Sequence, residues 1–186
     1  MPWAEREKDC MKSRSRIVKA LEHLLERNSL DEISVTQITT EAGVARKTFY
    51  RNFRDKYDLM NWYYDNFYHE TFGSIIVGND FREALLNCLE LYEEKRVLLR
   101  NAYASRDING LKNHDVEITK NIYNRFLQQK GADTGKRALQ FAVEIAVRGG
   151  TEMIILWVRG DLPMEKEELC SLLIETLPAE IYRYIK

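Results

Sequence analysis

The chain has 186 residues, 45% of them hydrophobic, with 28 basic and 29 acidic side chains. That is apolar material for one ordinary core, or for a small domain joined to a medium one, and it excludes a disordered or low-complexity protein. Nine Gly and three Pro leave few turns, so the expected fold is all-α.

The N-terminal stretch MPWAEREKDCMKSRSR is charged where a signal peptide needs its apolar run, and no later segment has the length of a membrane span, so a cytoplasmic location and no membrane partner are expected. Cys10, Cys88 and Cys170 stand far apart without a CxxC spacing, which predicts free thiols rather than disulfides or zinc. The formal charge of −1 conceals an asymmetry: residues 1–56 hold 12 basic against nine acidic side chains, and residues 57–186 hold 16 against 20. Five of the basic residues crowd into positions 46–56 against one acid, Asp55. Such clustering points to nucleic acid.

In chain order, Ile17, Ala20, Leu21, Leu24 and Leu25 form a stripe with helical spacing, ended by Asn28 and Ser29. Ser34 and Gln37 make a capping box, with Ile33 and Ile38 as a hydrophobic staple, and so start a second helix. Gly43 must end that helix after about two turns by taking a left-handed conformation. A third helix starts near Ala45. Two short helices joined by a glycine turn, behind a longer one, form a helix-turn-helix that presents its second helix to a major groove.

A fourth helix is predicted from Asp55 as cap, with Asp58 in its first turn, weakening around Gly73 and Gly78. Asp80 and Glu83 offer another capping box, opening a helix whose inward stripe runs Phe81, Leu85, Cys88, Leu89, Tyr92 and Leu99. After the Asn109-Gly110 break, a helix over about 111–130 carries Ile118, Ile122, Phe126 and Leu127, and Gly131 closes it. The segment 134–159 is apolar on more than one face, as a central helix would be. A last long helix follows Pro163, with Leu169, Leu172, Leu173 and Leu177, and stops at Pro178. The expected architecture is an N-terminal helix-turn-helix domain, residues 1–56, and a larger helical dimerisation and ligand domain, residues 57–186, with about nine helices in all.

Within GVARKTFYRNFRDK, residues 43–56, helical spacing puts Phe49 and Phe53 on one side and Arg46, Lys47, Tyr50 and Arg51 on the other. The aromatic pair anchors the helix, and the opposite side, with Thr48, offers cations and hydroxyls suited to phosphates and base edges. Lys56 adds a charge at the next helix start. Here the sequence resembles the TetR family of regulators through Thr36, Ile38, Ala42, Gly43, Val44, Ala45, Thr48, Tyr50, Phe53, Lys56 and Leu59, a match over residues 12–62. The resemblance implies that Thr36, Thr48, Tyr50 and Lys56 grip phosphates, that Ala45, Arg46 and Lys47 lie nearest the bases, and that the C-terminal helix pair builds a dimer. Two positions depart from the family habit: Ala45 replaces a frequent Ser, and Thr39 stands where Ala is common. A weaker likeness, through Trp62 and the Trp157 segment, points to the branch that contains an activator of dihydroxyacetone kinase genes.

In the second domain, Trp62, Tyr63, Tyr92, Tyr123, Phe126 and Phe141 are candidates to line a cavity for an unknown small-molecule effector, or are simple core. Arg148 joins them as a charged group in an apolar helix, with an ion pair to Glu144, at i, i+4 or at the dimer seam, as its plainer explanation. His23, His69 and His114 share no ligand spacing, so no metal or cofactor site is expected. No phosphate loop, nucleophile elbow or paired-carboxylate signature suggests an enzyme. The sequence therefore predicts a homodimeric, ligand-responsive repressor that binds pseudo-palindromic double-stranded operator DNA. The alternative is a helical coactivator that works through a partner without binding DNA.

Overall fold

The computed structural model describes residues 3–70 and 80–185, and the side chains among them from residue 11 to 69 and from 80 onward. Among the described residues there are ten helices and no strand: α1 (Trp3–Leu25), α2 (Val35–Ala42), α3 (Arg46–Asn52), α4 (Lys56–Glu70), α5 (Phe81–Glu94), α6 (Arg96–Tyr103), α7 (Leu111–Gln129), α8 (Arg137–Arg159), α9 (Lys166–Glu175) and α10 (Ala179–Tyr182). None is long and apolar enough to cross a membrane. The expected weakening at Gly73 and Gly78, and the Cys10 thiol, lie outside the described residues.

Two compact units emerge: Met1–Tyr64 with Val97–Leu111, and Asp65–Arg96 with Lys112–Lys186. In the first, the α1 stripe buries Ile17, Ala20, Leu21 and Leu25. The chain leaves α1 through a turn held by Asn28, whose Nδ2 donates to the Leu24 carbonyl at 3.0 Å. At α2 the capping box forms as the sequence predicts: the Gln37 amide donates to Ser34 Oγ, and the Ser34 amide donates back to Gln37 Oε1 at 2.8 Å. Gly43 closes the helix at φ +59°. Asp55 caps α4, its Oδ1 accepting from the Tyr57 and Asp58 amides at 2.9 and 2.8 Å.

The first unit also contains a stretch that the sequence reading assigns elsewhere. One helix was expected to carry the stripe from Phe81 to Leu99, but it breaks at Lys95, which has φ −99° and ψ 18°. α5 buries Phe81, Leu85, Cys88, Leu89 and Tyr92 in the second unit, whereas α6 buries Leu98, Leu99, Ala102 and Tyr103 in the first. The two stripes serve different cores, which one unbroken rod of even pitch need not do. At its start, Asp80 accepts from the Arg82 and Glu83 amides as an ordinary N-cap.

In the second unit α5 packs on α9. Arg82 Nη2 donates to Ser171 Oγ at 2.9 Å, Lys166 bridges Glu90 and Glu93 at 3.3 Å each, and Cys88 and Cys170 are buried and form no disulfide. Burial pushes the Cys170 thiol up from its ordinary value. α8 is covered on one side only, contrary to the expectation for a central helix. Leu139, Ala142, Val143, Val147, Thr151, Ile155, Trp157 and Val158 are buried, but Phe141, Ile145 and Met153 are exposed at i, i+4 intervals through Gly149. Trp157 fixes the C-terminal end of α8: Arg96 lies 4.5 Å over its ring, and its Nε1 donates to the Met164 carbonyl at 2.9 Å. α9 ends at Glu175, and Pro178 caps the additional single turn of α10, which buries Ile181.

Candidate nucleic-acid interface and ligand cavity

α2 packs on α3, and Ile38, Ala42, Phe49 and Phe53 are all buried. Phe49 stands edge-on to Tyr50, with ring centroids 5.4 Å apart, and 6.0 Å from Phe53, which meets Trp62 at 5.8 Å. Burying an aromatic side chain is worth about 1.5–3 kcal/mol, enough to fix the rotation of a seven-residue helix that could not form alone. That rotation turns Ala45, Arg46, Lys47, Tyr50 and Arg51 to solvent, with Thr48 half-buried.

The outward residues form one surface. Arg46 donates from Nη1 to Thr36 Oγ1 at 3.3 Å and from Nη2 to Tyr50 Oη at 3.4 Å, so the start of α2 and both turns of α3 share a guanidinium-centred patch. Thr39, the departure from the family habit, is buried but satisfied by donating to the Thr36 carbonyl at 3.0 Å. Lys56 is placed differently from the others. Its ammonium donates to the Asp31 and Ile33 carbonyls, both at 2.8 Å, and so holds the turn that leads into α2.

The second unit contains a cavity of about 250 Å³, lined by Tyr68, Tyr92, Asp115, Thr119, Tyr123 and apolar residues of α5, α8 and α9. Of the expected lining residues, Tyr92 and Tyr123 are there. The other five stand elsewhere, each for a local reason. Trp62 packs under Arg14, 5.2 Å from its guanidinium, and Tyr63 Oη donates to Glu22 at 3.0 Å, both within the first unit. Phe126 is core, 5.7 Å from Phe81. Phe141 is 69% exposed, and Arg148 makes the i, i+4 ion pair with Glu144 at 2.9 Å. Glu144 also accepts from Lys120 on α7, and that ammonium, then Arg148, holds its carboxyl below the usual range. His23 and His114 each face a carboxylate at 2.6 Å, Glu41 and Asp65, and no cluster with metal-ligand composition occurs among the described residues.

A family model of bacterial regulatory proteins, tetR family, matches residues 17–61, and a model of a transcriptional regulator C-terminal region matches residues 79–178. The chain belongs to the TetR family. It is a helix-turn-helix, DNA-binding transcription regulator. Among curated relatives, it is 26% identical over 87 residues to the HTH-type dhaKLM operon transcriptional activator DhaS of Lactococcus lactis subsp. lactis (strain IL1403), covering 47% of this chain and 46% of that one. It is likewise 26% identical over 117 residues to the regulator SAB2452 of Staphylococcus aureus (strain bovine RF122 / ET3-1), covering 52% of this chain and 63% of that one. The matches thus span about half to three fifths of those relatives. Its fold is similar to the solved dihydroxyacetone kinase operon activator DhaS, with TM-score 0.62 at 20% identity over 91% of this chain and 96% of that one. It is also similar to the TetR family repressor AlkX from Dietzia sp. Strain DQ12-45-1b, with TM-score 0.59 at 18% identity over 92% and 98%.

Two residues that support the reading head of this TetR family regulator were not legible as functional. Arg16 of α1 donates from Nη2 to the Gly43 carbonyl at 2.8 Å, fastening the helix-turn-helix corner from outside. Asp31 accepts from Ser105 Oγ at 2.5 Å, the Arg106 amide at 3.0 Å and Tyr57 Oη at 3.3 Å, and these bonds, Ser105 first, hold its carboxyl below the ordinary value. Desolvation and then the Asp107 and Asp31 charges push the Tyr57 phenol up to about 12. The partners lie 26 to 75 residues from Asp31 or Arg16, a distance at which sequence spacing carries no signal.

Proposed function

We propose that this TetR family regulator is a cytoplasmic, homodimeric repressor that binds a pseudo-palindromic operator and releases it when a small effector enters the cavity of the second unit. The observation that carries the reading is the exposed set Arg46, Lys47, Tyr50 and Arg51 on a helix whose opposite side is locked by Phe49 and Phe53. Ala45, Arg46 and Lys47 are assigned to base edges. Thr36, Thr48 and Tyr50 are assigned to phosphates, together with the remaining proton of the Lys56 ammonium.

Dimerisation is assigned to the exposed i, i+4 ridge of α8, Phe141, Ile145, Gly149 and Met153, beside the exposed Leu172 of α9. A ridge of this spacing interdigitates with its symmetry mate, and Gly149, where an added Cβ would meet nothing within 4 Å, permits close approach at the crossing. No catalytic role is assigned.

The test is to select DNA from a random pool with the purified chain and measure binding by anisotropy across salt. Salt-dependent binding to a palindrome is expected, and Lys56→Ala should weaken all sites alike and reduce the salt slope by about one. Arg46→Ala should instead relax base preference, at a cost of about 1–3 kcal/mol on the preferred site. Absence of binding by the pure protein would favour the coactivator alternative. Because DhaS is named an activator, a reporter fused to the selected site decides between repression and activation.

A further inference from the structure

α1 carries a cationic row that α3 does not account for. From Met11 to Leu21 the chain has four basic residues, Lys12, Arg14, Arg16 and Lys19, and no acidic one. Arg14 turns inward, its guanidinium 5.5 Å from the centre of the Phe53 ring and 5.2 Å from that of Trp62. The other three follow at i, i+4 and i+7, a spacing that puts them on one side of a helix, and all three are exposed. Like charges at these intervals repel and cost a helix stability, and neither Lys12 nor Lys19 meets a carboxylate among the described residues. A polyanion would relieve that repulsion.

Two contacts hold the row beside the DNA-reading helix. The stack of Arg14 on Phe53 and Trp62 ties one side of α1 to the end of α3 and to α4. On the other side Arg16 Nη2 donates to the Gly43 carbonyl at 2.8 Å, close before Arg46, and a guanidinium has further N–H groups to give. Beyond Lys19 the uncompensated charge ends, because His23 Nδ1 lies 2.6 Å from Glu41 Oε1. From Lys12 to Lys19 the helix rises about 10 Å, a length over which one DNA strand presents about three phosphates. The cations match them in number. The exposed residues from Lys12 to His23 are Lys12, Ser15, Arg16, Lys19 and His23, so the row has no apolar side chain to bury in a bilayer. The polyanion that α3 brings to this place is the duplex itself.

We propose that Lys12, Arg16 and Lys19 form a second phosphate-binding surface, which grips the DNA backbone flanking the base pairs that α3 reads. This rests on operator binding through α3 and extends the footprint beyond it. The test compares two duplexes by anisotropy across salt, one ending at the outermost base pair that selection from a random pool fixes, the other longer by a half-turn of arbitrary sequence at each end. The full chain is expected to bind the longer duplex more tightly and with a steeper salt dependence. Lys12→Gln with Lys19→Gln should lower the slope on the longer duplex by about two for each chain bound, and weaken it about tenfold or more at 0.1 M salt. On the shorter duplex the same variant should stay within about twofold. Lys12→Arg with Lys19→Arg keeps both charges and should keep the gain from the flanks.

Equal affinity and slope on the two duplexes, a flank gain that survives the double Gln substitution, or an equal loss on both duplexes overturns the proposal. Glutamine is nearly as good a helix former as lysine, and circular dichroism checks that α1 persists in each variant. The two levels separate cleanly. Binding to the shorter duplex without any effect of the flanks overturns the α1 surface and leaves operator binding by α3 standing, whereas no binding to either duplex overturns both.

Discussion

Replacing Gly43 by Ala tests the helix-turn-helix corner by two routes at once. At φ +59° an alanine pays about 1 kcal/mol for the left-handed conformation. Its Cβ would also sit 2.6 Å from Arg16 Nη2, a contact relieved by moving the flexible guanidinium off the Gly43 carbonyl. That exposed bond is worth about 1 kcal/mol net, so Gly43→Ala should cost about 2 kcal/mol, a large share of a typical 5–15 kcal/mol. Arg16→Ala alone should cost about 1 kcal/mol. Because the first substitution already breaks the bond that the second removes, the double variant should cost about 2 kcal/mol rather than about 3, a coupling of about 1 kcal/mol. Urea titrations of the four proteins, compared by midpoint at constant slope, measure this. Costs that add to within about 0.3 kcal/mol would refute the steric link between the turn and α1.

Ser34→Ala removes the side chain that accepts from the Gln37 amide and should cost about 1 kcal/mol, seen as faster amide exchange in α2, whereas Ser34→Asp keeps the cap. Asp31→Asn should lower thermal stability at pH 7 by less than about 1 kcal/mol, since the group is exposed. Its folded carboxyl lies below the ordinary value of 3.8, so the stabilisation is present above that pH and lost as pH falls through the folded value. The gap between wild type and variant should therefore close below about pH 4, and a gap independent of pH would remove Asp31 as its source. Ile145→Arg on the α8 ridge is expected to convert a dimer to a monomer in light scattering with helix content unchanged, and a retained dimer would place the contact elsewhere.

What could be read from the sequence was local. Ser34 with Gln37, Gly43, Asp55 and Gly131 each act within a few residues of themselves, and each sits at the helix end that its chemistry predicts. The facing of α3 followed from the four-residue interval between Phe49 and Phe53. The break at Lys95 could not be read, because neither Gly nor Pro marks it and the apolar spacing continues across it. Aromatic character likewise failed to separate cavity from core. Tyr123 lines the cavity and Phe126, one turn later, does not, a distinction set by what other helices place opposite them. Asp115 was missed for a related reason: one carboxylate on a polar helix is unremarkable until its burial is known.

The return of residues 97–111 has a practical consequence for anyone who wishes to cut this protein. Asn101 alone accepts from the Leu30 amide and donates to the Leu25 carbonyl, and Tyr103 reaches the Tyr64 hydroxyl. A fragment severed after residue 64 would leave those groups bare and the apolar surface under Leu98 and Leu99 wet. The portable DNA-reading module is therefore not a contiguous stretch, and a chimaera that grafts it onto another sensor must carry the distant strip along with it.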